Sequence, residues 1–175
     1  SSVYGMNNKQ PFSTDDRTDY PVSLYAATKK SNELLAFSYS HLFKIPSTGL
    51  RFFTVYGPYG RPDMAYYKFA DLINNEKTIN VYNDGNMKRD FTYVDDIIQS
   101  LIRVMLKLPP TKSSTHSNAK APSRVINIGN NNPVILNDFI KSIEKGIGKK
   151  AIKNLLPMQP GDVPITYADI DPLIN

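Results

Sequence analysis

Ser47-Thr-Gly-Leu-Arg-Phe-Phe-Thr-Val-Tyr-Gly-Pro58 is a short apolar run that empties into the Gly/Pro-rich loop Tyr56-Gly-Pro-Tyr-Gly-Arg-Pro62. Residues 47–54 read as a buried strand, bounded by Pro46 on one side and by the loop on the other. Upstream, Ser31, Leu34, Leu35, Ser38 and Leu42 recur at helical steps, and the charges sit elsewhere, which predicts a helix over 23–43 with these residues on its apolar face. Residues 1–4 read as the end of a further strand running into a turn. Strand, crossover helix, strand is the pattern of a parallel sheet, and ligands in such sheets gather at the carboxyl ends of the strands.

Downstream the spacing predicts a helix near 65–75, a strand over 78–82 and a turn at Asp84-Gly85. Val94, Ile97, Ile98, Leu101, Met105 and Leu108 form another apolar stripe, with Asp95 and Asp96 placed to suit the dipole of its first turn. Residues 109–123 are poor in apolar residues and read as a loop, open to disorder. A strand follows at 124–128, then a helix at 136–147 with Leu136, Phe139, Ile140, Ile143 and Ile147 on one side and Gly146 and Gly148 at its end. A last strand is expected at 151–156, and a new helix at 169–175.

Composition narrows the chemistry. Among the 175 residues there is no Cys, which removes disulfides and thiolate chemistry, and His41 and His116 stand far apart, which disfavours a Ser/His/Asp triad or a His metal site. No apolar run is long enough to span a bilayer and no targeting segment is visible, so the cytoplasm is the expected location. The net charge of +5 raises the question of a nucleic-acid surface. Lys141, Lys145, Lys149, Lys150 and Lys153 instead recur at near-helical spacing around an apolar stripe, as on a solvated helix face, so neither nucleic acid nor membrane is an expected partner.

Tyr25-Ala-Ala-Thr-Lys29 is the segment that carries chemistry. A Tyr and a Lys four apart on a helix project from one face. A free phenol ionises only near pH 10, and a neighbouring cation favours the phenolate, so such a pair can exchange a proton with a sugar hydroxyl while hydride leaves the same carbon for a nicotinamide. The spacing alone is equally that of an ordinary exposed helix face.

The surrounding blocks add to it. Ser1-Ser-Val-Tyr-Gly5, Tyr25-Ala-Ala-Thr-Lys-Lys30, Leu50-Arg-Phe-Phe-Thr-Val-Tyr-Gly-Pro58, Gly60-Arg-Pro-Asp-Met-Ala65, Arg89-Asp-Phe-Thr-Tyr-Val-Asp-Asp-Ile97 and Gln159-Pro-Gly-Asp-Val163 together resemble the extended short-chain dehydrogenase/reductases that act on nucleotide sugars, in order and spacing across nearly the whole chain. The Gly60–Ala65 block is most similar to the members that invert C4 of UDP-glucuronate. The resemblance implies an α/β fold: the C-terminal part of a Rossmann-like parallel sheet over 1–58, then mainly a smaller mixed α/β substrate domain over 59–175, with the chain crossing back near 90–130. It also implies NAD as cofactor, a UDP-sugar as substrate and a homodimer.

Residue by residue, Tyr25 is similar to the catalytic base and Lys29 to the residue that tunes it and binds the nicotinamide ribose. Phe53 matches a cofactor-pocket position. Ser1 and Ser2 match hydroxyls lining the sugar pocket, or are two solvated hydroxyls at a strand end. Thr54 and Arg61 are the candidates for substrate specificity, because a guanidinium can grip the carboxylate that a uronic acid carries and glucose lacks. Arg89 matches a position that pairs with the diphosphate, or is a surface charge beside a turn. Asp162 matches a residue near the nucleoside, or is a turn aspartate.

The sequence departs from the family pattern in having no Gly-x-x-Gly-x-x-Gly to hold a pyrophosphate, and the hydroxyl that assists the Tyr would immediately precede Ser1. Both ends read as cut, so the chain by itself is expected to bind NAD poorly and not to turn over. The rivals are a 4,6-dehydratase, disfavoured because Ser1-Ser2 stand where an Asp-Glu pair is needed, a decarboxylase forming UDP-xylose, and a folding or binding module without catalysis.

Overall fold

The computed structural model describes residues 1–111, 120–159 and 162–174. Helix α1 (Leu24–Phe43) starts where extended Ser23 accepts the Ala26 N–H on its Oγ at 3.1 Å, and it ends at Lys44 with φ 57°. Strand β1 (Ser47–Phe52) then lies parallel to β5 (Ser123–Ile128), in register from Ser47 opposite Ser123 to Phe52 opposite Ile128.

The run predicted as one strand over 47–54 is two. The Phe53 N–H still donates to the Ile128 carbonyl at 3.0 Å, but β2 (Thr54–Tyr56) pairs in parallel with β4 (Lys88–Tyr93) instead. The buried Phe53 ring sits 6.2 Å from each of the Tyr4 and Phe12 rings, and this aromatic cluster anchors the point where the chain changes partner. One sequence run thus serves two sheets.

Strand β4 is the hub of the second sheet, antiparallel to β6 (Pro133–Ile135) and parallel to β8 (Ile165–Thr166). Neither β4 nor β6 is foreseen in the sequence. Asp90, fully buried, interrupts the apolar pattern of β4, and its carboxylate accepts the backbone N–H groups of Asn130, Asn131 and Ala168 at 2.9, 3.1 and 3.0 Å. Gly129 is required at this clasp, since a Cβ there would lie 2.7 Å from the Asp90 Oδ2 and 2.6 Å from the Ala168 Cβ.

A separate layer holds β3 (Thr78–Tyr82) parallel to β7 (Ile152–Leu156), covered by α2 (Ala65–Asn74) and α4 (Leu136–Ile147). Ile73, Ile79, Val81 and Ile140 form its core, with Leu136, Ile143 and Ile147 packed against it as the stripe predicts. The lysines that follow that stripe are all exposed. Helix α3 (Val94–Met105) buries Ile97 but exposes Ile98, Ile102 and Met105, and α5 (Asp171–Ile174) closes the described chain.

Further expectations are corrected. Ser2–Tyr4 is a 3-10 turn, in which the Tyr4 N–H donates to the Ser1 carbonyl at 3.1 Å, rather than a strand end. On α1 the buried positions are Ala26 and Ser40, while Leu34, Leu35 and Leu42 are 58%, 59% and 67% exposed. The side turned toward β1 carries Glu33 against Arg51, so polar contacts rather than the leucine stripe orient the helix. Residues 112–119 of the expected loop, His116 among them, lie outside the described residues, as do Pro160 and Gly161.

Candidate active site

The elements bring residues from distant parts of the sequence to one place. Tyr25, Ser1, Ser2, Phe53, Thr54 and Arg61 border a single open cavity of about 460 Å³ beyond the ends of β1 and β2. Tyr25 is presented by the first turn of α1, where the Ser23 cap fixes the backbone, and it is 59% exposed. The Lys29 Nζ lies 5.1 Å from the centroid of the Tyr25 ring, as the four-residue spacing anticipates. Gly57, at φ 137°, lets the loop leave β2 against α3, because a Cβ there would meet the Val94 Cγ1 at 2.7 Å.

Tyr25 also borders a second cavity of about 460 Å³ between α1 and β1, shared with Lys29, Glu33 and Arg51. A third, of about 580 Å³, joins the first through Thr54 and Met64 and reaches Arg89, Tyr82, Phe91 and Gln159. Thr54 therefore stands on the wall shared by the first and third cavities.

The charged candidates are already engaged. The exposed Arg61 guanidinium is gripped at both ends by Asp63, with Nε 3.0 Å from Oδ1 and Nη2 2.5 Å from Oδ2. That pairing raises the Arg61 value and lowers the Asp63 carboxyl. Arg89 donates to the Asp162 Oδ1 and to the Val163 carbonyl, each at 2.8 Å. Burial pulls the Arg89 value below that of an ordinary guanidinium, against the raising effect of Asp162. Arg89 and Asp162, far apart in sequence, are thus one ion pair beside the third cavity, although Asp162 itself does not border it.

Sequence reasoning overlooked the groups behind the site. Arg51, 6% exposed, donates from Nε and Nη2 to the two carboxylate oxygens of Glu33 at 2.8 and 2.9 Å and lies 4.8 Å from the centroid of the Tyr4 ring. The Tyr4 hydroxyl donates to the Asn127 Oδ1 at 2.6 Å, and the Asn127 amide donates to the Phe12 and Asp169 carbonyls at 2.7 and 3.2 Å. The available signal was an Arg inside an otherwise apolar strand, which requires a buried partner. Among the described residues no group of His, Cys, Asp and Glu could hold a metal ion, and no helix is long and apolar enough to cross a membrane.

Comparison with known proteins gives the site its context. Residues 1–129 match the model of the NAD dependent epimerase/dehydratase family. The chain belongs to that family. It is 57% identical to Protein CapI of Staphylococcus aureus over 182 residues, covering 100% of this chain and 54% of that protein. It is 52% identical to the probable UDP-glucuronate 4-epimerase of Rhizobium meliloti, covering 98% and 52% of the two chains. Among solved structures, the Bacillus cereus UDP-glucuronic acid 4-epimerase in complex with UDP-glucuronic acid and NAD superimposes with a TM-score of 0.82 at 38% identity, covering 99% of this chain and 51% of that one. The chain spans about half the length of the relatives it matches. For an epimerase/dehydratase family member, parallel strands delivering Thr54 and the 57–64 loop to a cleft are the expected Rossmann-like arrangement.

Proposed function

We propose that, in a polypeptide spanning the full length of these relatives, this site inverts C4 of UDP-glucuronate to give UDP-galacturonate through a 4-keto sugar. The observation that carries the reading is the convergence of Tyr25, Ser1, Ser2, Thr54 and Arg61 on one cavity, in a chain 52% identical to a probable UDP-glucuronate 4-epimerase. Tyr25 takes the proton of the sugar 4-hydroxyl and, once the 4-keto sugar has turned in the cavity, returns it to that same oxygen as the opposite face of C4 is reduced. Ser1, Ser2 and Thr54 hold the sugar through their hydroxyls while it turns over, and Arg61 pairs with the uronate carboxylate when it exchanges Asp63 for substrate. Arg89 and Asp162 serve the nucleoside diphosphate end, on the far side of Thr54.

NAD, when bound, would supply the acceptor and then the donor of the C4 hydride. The residues present suit its nicotinamide ribose end: the Lys29 ammonium and the Tyr25 phenol are both donors on the wall of one cavity, and Phe53 supplies an apolar surface beside it. No glycine-rich turn in the 175 residues would cradle its pyrophosphate.

Residues 1–58 then act as the C-terminal part of the dinucleotide-binding domain and 59–175 as mainly the substrate domain, a division supported by the change of sheet at Phe53. The full-length form works as a homodimer in the cytoplasm. Proton NMR of UDP-glucuronate incubated with the full-length polypeptide and NAD tests the reading: the anomeric signal of UDP-galacturonate is expected, and UDP-xylose, or no turnover of the uronate beside a 4-keto-6-deoxy product from UDP-glucose, would overturn it.

A further inference from the structure

Glu33 is one helical turn beyond Lys29 on α1, the spacing at which opposite charges pair, and both border the cavity that Tyr25 also borders. Yet no ion pair joins Lys29 to Glu33 among the described residues. Glu33 is taken instead by Arg51, which fills both carboxylate oxygens from β1, and by Lys30 at 3.6 Å. Lys30 also donates to the Thr18 Oγ1 at 2.6 Å, so its ammonium is shared between that hydroxyl and the Glu33 Oε2. Lys29 is left over the Tyr25 ring at 5.1 Å. We propose that Arg51 is a positioning residue for the Tyr25–Lys29 pair: by occupying both oxygens of Glu33 it keeps that carboxylate from drawing the Lys29 ammonium away from Tyr25.

The inference rests on the proposed roles of Tyr25 and Lys29 and adds a residue that acts through them, by holding Glu33. It follows from charge and reach. A carboxylate in a cavity wall seeks a cation, and with Arg51 gone the nearest alternatives on its own helix are Lys30 and Lys29. Because Lys30 is already committed to Thr18 and to the Glu33 Oε2, the Oε1 that Arg51 would vacate has Lys29 as the next cation on the helix. The guanidinium also reaches the Tyr4 ring at 4.8 Å, in the turn that carries Ser2, so the same clasp aligns the hydroxyls with the helix.

The test separates this role from that of a mere strut. In the full-length polypeptide, Arg51→Met should lower kcat at least about tenfold with KM for UDP-glucuronate within about threefold, and should weaken NAD binding in a fluorescence titration. Adding Glu33→Gln should restore most of both, because the competing carboxylate is gone, and Glu33→Gln alone should keep kcat within about threefold although its melting temperature falls. A double variant as slow as Arg51→Met, or a Glu33→Gln single as slow, would overturn the proposal, since losing a strut cannot be repaired by removing its other half. If Arg51→Met does not fold, Glu33→Gln decides alone by the same criterion. Tyr25→Phe is the control: retained turnover there would count against the reading of the reaction, whereas lost turnover there with no rescue in the double variant would count against Arg51 alone.

Discussion

Tyr25 has a hydroxyl to lose and little structural duty, being 59% exposed with the Lys29 ammonium 5.1 Å from its ring centroid. Tyr25→Phe in a full-length form should therefore bind NAD and keep its melting temperature while turnover falls at least about 100-fold, the usual contribution of a general acid/base; near-normal turnover would remove it from the chemistry. Arg61 calls for a comparison of substrates. Because Asp63 already grips it in water, a uronate carboxylate binding there would have to replace one carboxylate with another, for a modest gain. Arg61→Ala should lower kcat/KM for UDP-glucuronate by about tenfold and leave any activity on UDP-glucose nearly unchanged, whereas equal losses would point to damage of the loop. Glu33 sets a dependence on pH. Burial by itself would raise its carboxyl, but the hydrogen bonds and charge of Arg51, helped by Lys30, hold it below the usual value. A carboxyl depressed by folding contributes stability above its unfolded value and loses it as pH falls through the folded one. Urea midpoints measured from pH 7 down through about 4 should thus fall more steeply in the native chain than in Glu33→Gln.

At the scale of elements, β4 holds the second sheet together through a side chain rather than through its ladder alone. Asp90 closes the turn after β5 and the segment after β8 onto one strand. Asp90→Ala leaves these buried backbone donors unsatisfied, and urea unfolding should show a loss of about 3 kcal/mol or more; a change under about 1 kcal/mol would mean that the turn relaxes freely. The β1–β2 run shows how far an element can be read in advance. Its apolar composition and its Gly-Pro exit are visible in the sequence, and so is the helix before it. The switch of partner at Phe53 is not, since pairing depends on which strands arrive from residues 88–93 and 123–128. Strand β4 escaped notice because its buried Asp looks like a surface charge until the N–H groups that neutralise it are in view.

At the scale of the whole molecule, α1 and α3 each leave several apolar residues exposed: Leu24, Leu34, Leu35 and Leu42 on one, Ile98, Ile102 and Met105 on the other. Such faces favour association, so the isolated 175-residue chain should elute above its monomer mass in size-exclusion chromatography with light scattering. Calorimetry with NAD should meanwhile detect no micromolar binding, because no glycine-rich turn is present for the pyrophosphate. A well-behaved monomer that binds NAD would contradict both expectations.

The sequence by itself determined the local features of this protein: the α4 stripe that meets its core, the Ser23 cap, and the four-residue step that sets Lys29 over Tyr25. These depend on periodicity and on neighbours a few residues apart. It also carried the ordered blocks that point to the family. Tertiary structure alone decided that the leucines of α1 stay exposed while Glu33 turns inward to Arg51, and that Arg89 meets Asp162 across 73 residues. A hydrophobic stripe reports that a face needs cover without saying what provides it. A lone charge likewise reports that it needs a partner, and only the fold brings the partner within 3 Å.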